Sequence, residues 1–302
     1  MPTVLVSRCD RIGDLILSLP TLGILRDAGI DKRILHCSAY AEDIGLWALH
    51  NELCTDLWIE GKETPKSALN CDAGLSLFHC QEAKNAFNEA EVKFSLGPRS
   101  KLSALWSYSK SIPQHRSQVK KSEMQYNLDL GRALLDYLKL PIPEFKGIPA
   151  MKIPIEWRSP RKSPHTVVVV SNNASAANWN IDHYIDYAKS VYDSTGRSLD
   201  FLVSGHDARF RKEALLRSDV IRSGMGLVEA LPSLKELIVY LSQAKLVVSS
   251  STGPLHIAHA AGVNVFGIYP SKRVESFDRW RPDGYWHRGS VRYQIIPSDP
   301  RS

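Results

Sequence analysis

Short apolar segments alternate with helix-compatible segments along most of the chain, and the same rhythm occurs in both halves. Strands that alternate with helices are typical of a parallel sheet covered by helices on both faces, so each half is predicted to be an α/β domain. After the first strand and a loop, a helix is expected to begin at about Leu15. The strands predicted in the first half are Thr3–Ser7, Arg33–Cys37, Asp56–Glu60, Gly74–Phe78 and Val92–Leu96.

The second half begins with Thr166–Ser171, whose run of valines suits a strand buried on both faces. Ser233 and Glu236 have the spacing of a capping box and predict the start of a helix with one apolar stripe. The remaining elements predicted here are a helix at Asp182–Asp193, strands at Leu199–Val203, Lys245–Ser249 and Val263–Tyr269, and a helix that begins at Gly253.

A helix and a proline-rich stretch separate the two halves. The helix is predicted from an apolar stripe at alternating spacings of four and three residues, formed by Met124, Leu128, Gly131, Leu135 and Leu138. Prolines then cluster between Leu140 and His165, and proline continues neither a helix nor a central strand. We therefore predict an N-terminal domain at residues 1–145, a linker at 146–165 and a C-terminal domain at 166–302. Two such domains are expected to face each other across a cleft, with ligands beyond the carboxyl ends of the strands.

The composition is that of a globular protein with a sizeable core. Of the 302 residues, 43% are hydrophobic and 23% are charged. No apolar run approaches the ~18 residues that span a bilayer, and charged residues from Arg8 to Asp14 interrupt the apolar N-terminal stretch, so no signal peptide is expected. The five cysteines are odd in number and form no Cys-x-x-Cys pair. Neither a disulfide framework nor a zinc site is therefore expected, and a cytoplasmic location is predicted.

Positive charge is concentrated in one stretch of the first half. The chain has a formal net charge of +6, and the stretch from Arg99 to Lys121 contains no Asp or Glu. Its serines, Trp106, Tyr108 and Pro113 predict a mobile loop. Such a loop is either a solvated basic segment or a grip on the phosphates or carboxylates of a large substrate or an anionic membrane surface. Its basic residues are Arg99, Lys101, Lys110, Arg116, Lys120 and Lys121.

The loop between the first strand and its helix, Ser7–Asp14, offers an acidic side chain. It has neither the Gly-x-Gly-x-x-Gly of a dinucleotide site nor the Gly-Lys-Ser/Thr of a phosphate-binding P-loop. The carboxylate of Asp14 can act as a general base on a sugar hydroxyl, a role worth roughly 10²–10⁴ in rate. The alternative is that Asp14 is the N-cap of the following helix.

Two loops of the second half could hold a ligand. In Ser249–His256, small hydroxyl residues precede a proline just inside a helix, an arrangement that exposes backbone N–H groups to a phosphate. His256 could donate to that phosphate or could be a core histidine. In Ser171–Trp179, amide and small side chains suit a ligand, or the segment is a turn that precedes a core tryptophan. No Asp-x-Asp triplet and no His/Cys/Glu cluster is present, so no metal site is expected.

Three segments together resemble glycosyltransferase family 9, the ADP-heptose:lipopolysaccharide heptosyltransferases. They are Arg11–Pro20 (RIGDLILSLP), Lys121–Leu130 (KSEMQYNLDL) and Ser251–Gly262 (STGPLHIAHAAG), and the resemblance spans nearly the whole chain. It implies a GT-B fold of two facing Rossmann-like domains, with the acceptor on the N-terminal domain and the nucleotide sugar on the C-terminal one. It also implies metal-independent transfer with inversion at the anomeric carbon. On this match Asp14 takes the position of the family's proposed catalytic base.

The sequence departs from the family pattern at two positions. The family often has a lysine two residues before the tryptophan of the third loop, where this chain has Ala177. It also has an aspartate where this chain has Ser251. Loss of the lysine should weaken a charge-assisted contact to the donor phosphates that is worth about 1.5–3 kcal/mol, unless another cation replaces it. The candidate cations are Arg8, Arg11 and Lys272. These departures leave the identity of the donor sugar open.

The sequence therefore predicts an enzyme, an inverting glycosyltransferase that moves heptose from ADP-heptose to a lipopolysaccharide core acceptor. Its partners would be the nucleotide sugar and an anionic glycolipid at the inner membrane surface, with no nucleic acid and no cofactor. The alternatives are another nucleotide sugar or acceptor, or a non-catalytic protein that binds nucleotide sugars or glycans. Besides the base Asp14, the predicted donor-binding residues are Asn172, Trp179, Ser251, Thr252, Gly253, Pro254, Leu255 and His256; the predicted acceptor-binding residues are Gly13, Arg99, Lys101, Lys120 and Lys121.

Overall fold

In the computed structural model, the chain divides into two compact units, Met1–Lys152 and Ile153–Ser302. The structure describes residues 2–99, 107–157, 164–170, 178–204, 208–221, 225–229, 231–282 and 289–297. The point of division lies between Lys152 and Ile153. Which of the two units binds the acceptor and which binds the donor stays a prediction.

The first unit is a six-stranded parallel sheet with the strand order β3-β2-β1-β4-β5-β6. Its strands are β1 (Thr3–Arg8), β2 (Lys32–Cys37), β3 (Asp56–Ile59), β4 (Ala73–Ser76), β5 (Ser95–Arg99) and β6 (Lys110–Pro113). Its helices are α1 (Ile12–Ile16), α2 (Leu19–Asp27), α3 (Glu42–His50), α4 (Gln81–Glu89) and α5 (Glu123–Tyr137).

The second unit is also a six-stranded parallel sheet, with the order β12-β11-β10-β7-β8-β9. Its strands are β7 (Thr166–Val169), β8 (Leu199–Val203), β9 (Gly226–Glu229), β10 (Leu246–Ser250), β11 (Asn264–Pro270) and β12 (Val291–Ile296). Its helices are α6 (Ile181–Thr195), α7 (Ala208–Arg217), α8 (Leu234–Ser242), α9 (Gly253–Ala260) and α10 (Phe277–Trp280).

Counted from its own first strand, each unit has the same order, which is that of a Rossmann fold. The chain reverses its direction across the sheet between β1 and β4 in the first unit, and between β7 and β10 in the second. Loops at such switch points leave a crevice at the carboxyl ends of the strands, where ligands bind in folds of this kind. All three loops singled out in the sequence follow strands at these two points.

Apolar runs at the central strands build the core, as their burial on both faces requires. Val4–Val6 of β1 and Val167–Val169 of β7 are all at most 1% exposed. Helix α5 begins at a capping box in which the Ser122 side chain accepts from the backbone N–H of Gln125. Its buried face includes Met124, Leu128, Gly131 and Leu135, four of the five residues of the predicted stripe.

The α/β class and the two parallel sheets are confirmed, and several local predictions are corrected. The stretch from Arg99 to Lys121 is not simply a mobile loop: Arg99 ends β5, Lys110–Pro113 forms the edge strand β6, and Arg116–Gln118 is a 3₁₀ turn. Strand β6 escapes prediction because none of its residues is fully buried. The helix expected at Leu15 is two helices that break at Leu17 and Ser18. Strands β9 and β12 and helices α7 and α10 were not predicted.

All five cysteines are free, in agreement with the prediction from their number and spacing. Within the described ranges, no helix has both the length and the apolar character needed to cross a bilayer.

Candidate active site

Arg8, the last residue of β1, is the centre of an ionic network at the carboxyl end of the strand. Its side chain is 1% exposed, and its guanidinium reaches three carboxylates. Nε and Nη2 donate to the two oxygens of Asp10 at 2.5 and 2.8 Å. Nη2 also donates to Asp14 Oδ1 at 2.8 Å, and Nη1 and Nη2 each lie 3.3 Å from Glu123 Oε1. Charge-assisted bonds of this kind are the strong ones in proteins.

Asp14 lies in the first turn of α1, where its carboxylate meets both Arg8 and solvent. The N-cap of α1 is Arg11, and the N-cap of α2 is Ser18. Asp14 is therefore not a helix cap, and the alternative interpretation of this residue is wrong. Its side chain remains 14% exposed. The Ser18 hydroxyl donates to the backbone oxygen of Asp14 at 2.8 Å, which fixes the first turn beneath the carboxylate.

A second layer of polar residues, from α5 and the turn before it, surrounds Arg8. Glu123 accepts from Arg116 Nη1 as well as from Arg8. Asn127, one helical turn further along, accepts from Nη1 of Arg8 and from Nη2 of Arg116, both at 3.3 Å. The Asn127 amide donates in turn to the Leu17 carbonyl and the Ser18 hydroxyl. Helix α5 is thereby bonded to the loop that carries Asp14.

Burial and charge together set the protonation of this cluster. Burial opposes the positive charge of Arg8, but the surrounding carboxylates outweigh it and raise the pKa of the guanidinium. The pKa of Asp14 is raised to about 7, chiefly by burial. The charge of Arg8 opposes this rise, and the charges of Asp10 and Glu123 contribute to it. The pKa of Asp10 is also raised, chiefly by burial and against the opposing effect of Arg8. A carboxyl group with a pKa near neutrality is suited to general-base catalysis.

Two exposed aromatic rings flank the loop of Asp14. Tyr40, just after β2, is 56% exposed, and its hydroxyl donates to the backbone oxygen of Asp10. Phe78, just after β4, is 42% exposed, and its ring centroid lies 5.5 Å from the Arg8 guanidinium carbon. Because β2 and β4 are the two neighbours of β1 in the sheet, the two residues follow strands on opposite sides of β1.

The loop after β10 leads into α9 without ionised side chains. Thr252 is the N-cap, and Gly253 and Pro254 open the helix. The N–H of Leu255 donates to the backbone oxygen of Thr252. Gly253 is the first residue of the helix, where a backbone N–H has no intrahelical acceptor. Ser251, Thr252, Gly253 and Pro254 are partly exposed, whereas Leu255 and His256 are buried. Within the described part of the chain, the buried atoms Ser251 Oγ and His256 Nδ1 have no hydrogen-bond partner.

His256 is a neutral side chain in this structure. Burial, together with the nearby His259, lowers its pKa to about 3. It can therefore donate a hydrogen bond from an N–H but cannot supply a positive charge at neutral pH. Buried polar atoms without partners are rare in proteins and call for an explanation such as a ligand.

The third predicted loop lies mostly outside the described residues, as do Asn172 and Ala177. Trp179 is described and is 7% exposed. Its ring packs against Tyr184, Tyr187 and Phe266, with centroids 5.1, 5.7 and 6.0 Å away. This is the packing of a core residue, and a contact between Trp179 and the donor stays a prediction.

Of the predicted acceptor residues that the structure describes, Arg99, Lys120 and Lys121 lie near β6, and Gly13 lies beside Asp14 in α1. Arg99 pairs with Pro113 across β5 and β6, and Pro113, Lys120 and Lys121 line a cavity of about 180 Å³. Lys121 donates to Asp129 at 2.6 Å, and Lys120 is exposed. Lys101 lies outside the described residues. Between the 3₁₀ turn and the lysines, Val119 has a φ of +50°, a conformation that β-branched residues adopt only where the surroundings enforce it.

Sequence reasoning missed the residues that surround Asp14. Arg8 was considered as a possible cation for the donor phosphates, but it is committed to three carboxylates of its own unit. Lys272, another such cation, pairs with Glu275 at 2.6 Å. Glu123 and Asn127 lie four residues apart on the buried face of α5, and polar residues so spaced on an apolar helical face were the available signal. Among the residues that the structure describes, no group of three or more His, Cys, Asp or Glu could hold a metal ion.

Comparisons with known proteins agree with this fold. Residues 159–285 match the model of glycosyltransferase family 9 (heptosyltransferase). A Haemophilus influenzae protein provisionally named a glycosyltransferase is 22% identical over 312 residues, which cover 93% of this chain and 86% of the relative.

Two solved Escherichia coli enzymes have a similar fold. Heptosyltransferase WaaC, solved with ADP, has a TM-score of 0.70 and 17% identity, over 96% of this chain and 93% of the enzyme. ADP-heptose lps heptosyltransferase II has a TM-score of 0.72 and 15% identity, over 97% and 92%. The predicted resemblance is thereby confirmed, and the chain is a glycosyltransferase whose residues 159–285 match the family 9 model.

Proposed function

We propose that this glycosyltransferase moves a heptose from ADP-heptose to a hydroxyl of a lipopolysaccharide core acceptor, with inversion at the anomeric carbon and without a metal ion. The observation that carries the proposal is the carboxylate of Asp14, which lies at the carboxyl end of β1, reaches solvent, and has its pKa raised to about 7. The match of residues 159–285 to a heptosyltransferase model supports the choice of sugar.

In the proposed reaction Asp14 takes the proton of the acceptor hydroxyl. The acceptor oxygen forms a bond to the anomeric carbon of the donor as the bond from that carbon to the diphosphate oxygen breaks. The diphosphate leaves as ADP with the bonding electron pair, on the side opposite to the attack, so the configuration inverts. A positioned general base of this kind contributes roughly 10²–10⁴ in rate.

The loop after β10 is proposed to bind the diphosphate. The helix N-terminus at Thr252 and Gly253 is the positive end of the α9 dipole, which favours an anion by about 0.3–1 kcal/mol when exposed. Ser251 Oγ and His256 Nδ1 are buried and lack partners within the described residues, so a donor oxygen would satisfy them. Pro254 and Leu255 shape the start of the helix, and Asn172 and Trp179 are proposed to contact the donor from the loop after β7.

On the acceptor side, Tyr40 and Phe78 offer aromatic faces on either side of Asp14, a lining typical of sites for ring-shaped ligands. Lys120 and Lys121, with Arg99 and Lys101, are proposed to bind the anionic groups of the glycolipid. Gly13, next to Asp14 in α1, is also proposed to contact the acceptor. We place this acceptor at the inner membrane surface, with the enzyme in the cytoplasm and peripherally attached.

A second candidate donor is a different nucleotide sugar. The loop after β10 has Ser251 where the family has an aspartate thought to touch the donor sugar, and Ala177 stands in place of the lysine. Both changes alter the contacts that would select heptose and its diphosphate.

Calorimetric titration of the purified protein with ADP, UDP and GDP separates the two candidates. The proposal expects ADP to bind at least tenfold more tightly than UDP or GDP. Incubation with ADP-heptose and a heptose-free lipopolysaccharide acceptor should then give a product one heptose heavier by mass spectrometry. A preference for UDP or GDP would replace the donor, and ADP binding without any product would contradict the proposed acceptor or sugar.

A further inference from the structure

The carboxylates around Arg8 outnumber the guanidinium groups, and this excess negative charge affects the protonation of Asp14. The cluster contains two guanidinium groups, Arg8 and Arg116, and three carboxyl groups, Asp10, Asp14 and Glu123. With every group ionised, the cluster carries one excess negative charge in a largely buried place. Uncompensated charge of this kind is costly, so the cluster favours binding one proton.

The bonds show which carboxyl group is the most available for that proton. Asp10 receives two bonds from Arg8, at 2.5 and 2.8 Å, and Glu123 receives bonds from both arginines. Asp14 receives a single bond from Arg8 Nη2. Glu123 is only 1% exposed, whereas Asp14 is 14% exposed and can exchange a proton with an acceptor or with water.

Glu123 and Asp14 therefore compete for the same cation. Both accept from Nη2 of Arg8, at 3.3 and 2.8 Å. Without Glu123, the positive charge of Arg8 would act more fully on Asp14 and would hold that carboxylate ionised to lower pH. Arg116 works in the opposite direction, because its bond to Glu123 Oε1 neutralises part of the glutamate charge.

We infer that Glu123, at the start of α5 and paired with Arg116, is a positioning residue. Its negative charge partly neutralises that of Arg8 and thereby keeps Asp14 able to accept a proton at neutral pH. The inference rests on the proposed function for the role of that proton. The effect of Glu123 and Arg116 on the protonation of Asp14 does not depend on the proposed function. Among the described residues, the groups that act on Asp14 are Arg8 from β1, Asp10 and the exposed Arg11 from its own loop, Tyr40 after β2, and Glu123 from α5.

The test is a ¹³C NMR titration of the Asp14 carboxyl carbon, without substrate, in the wild-type protein and in single variants. Glu123→Gln keeps the size of the side chain and removes its charge, so the Asp14 midpoint should fall by about one pH unit. Arg116→Gln leaves the glutamate charge uncompensated, so the midpoint should rise. Glu144→Gln, at a side chain that is 79% exposed and remote from the network, should leave it unchanged.

Opposite shifts for Glu123→Gln and Arg116→Gln support the inference, because a purely structural disturbance would not change sign with the charge removed. Wild-type midpoints in both variants, or shifts in the same direction, would overturn it. If Glu123→Gln does not fold, Arg116→Gln still decides, since an unchanged or lowered midpoint contradicts the role of Glu123. If the shifts appear but no donor and acceptor give a product, the proposed function is wrong, and the effect of Glu123 and Arg116 on Asp14 is still supported.

In the active enzyme the acidic limb of the kcat/KM profile should move with the Asp14 midpoint, because both report the free enzyme. Glu123→Gln is therefore expected to keep more of its maximal kcat/KM at pH 6 than the wild type does, while its maximal kcat/KM falls because the ionised base is weaker. A lower kcat/KM at every pH, with an unmoved limb, would mean that Glu123 acts only by holding α5 in place.

Discussion

The loops after β1 and β10 differ in how they use charge. Both connect a central parallel strand to a helix at a switch point of a Rossmann-type sheet. The first contains Arg8, whose guanidinium bonds the carboxylates of Asp10 and Asp14 in the same loop and that of Glu123 in α5. The second holds neutral hydroxyl groups and a histidine whose pKa is lowered to about 3. On the proposed function, the first loop serves proton transfer through its ionised groups, and the second serves anion binding through neutral hydrogen-bond donors.

The largest expected effect comes from removing the carboxylate of the first loop. Asp14→Asn should lower the transfer rate roughly 10²–10⁴-fold, because the acceptor hydroxyl loses its base. Since the pKa of Asp14 is raised, the ionised side chain destabilises the folded state above that pKa. The variant should therefore melt no lower than the wild type at pH 8. Asp136→Asn, at an exposed aspartate of α5, is the matched control for both measurements.

A near-normal rate in Asp14→Asn with a verified donor would show that Asp14 is not the general base. A lowered melting temperature at pH 8 would show instead that the ion pair with Arg8 outweighs the cost of burying the charge.

In the second loop, one substitution is expected to weaken donor binding and to raise the stability of the unliganded protein. Ser251→Ala removes a buried hydroxyl that has no partner within the described residues. Donor binding should weaken about fivefold, which corresponds to one hydrogen bond of about 1 kcal/mol. The melting temperature of the unliganded protein should rise slightly, because an unsatisfied polar atom is lost. Calorimetry and thermal unfolding measure the two changes, with Ser194→Ala in α6 as control.

Unchanged donor affinity in Ser251→Ala would separate the hydroxyl from the donor site. A fall in the melting temperature would show that the hydroxyl is satisfied in the free protein.

The smallest expected effects come from the two lysines beside the cavity near β6. Lys120→Gln should raise the KM for a lipopolysaccharide acceptor a few-fold and reduce its dependence on salt, because one screened contact to an anion is lost. Lys121→Gln should do less, since Lys121 is already bonded to Asp129 at 2.6 Å. Equal effects of the two substitutions, or none, would place the acceptor's anionic groups elsewhere.

The sequence was sufficient to predict the fold and the loops, because apolar runs and caps are local signals. Strands such as Leu199–Val203 were predicted with their observed bounds. Strand β6 could not be predicted, since its residues are at most half-buried and carry no apolar pattern. The Asp14 loop could be singled out from its position after a strand, but its network could not. Glu123 lies 115 residues from Arg8 along the chain, and nothing local shows that the two side chains meet.

The measurement that tests the central claim most directly is the pH dependence of kcat/KM in the wild-type enzyme, because this ratio reports the pKa values of the free enzyme. Asp14 must be ionised to accept the proton, so kcat/KM should rise with pH through a midpoint of about 7, the pKa of Asp14, and should follow the NMR titration of the same carboxyl. A kcat/KM that is flat between pH 5 and 8, or a midpoint near the ordinary aspartate value of about 4, would contradict the assignment of Asp14 as a base whose pKa is raised by burial and by its charged neighbours.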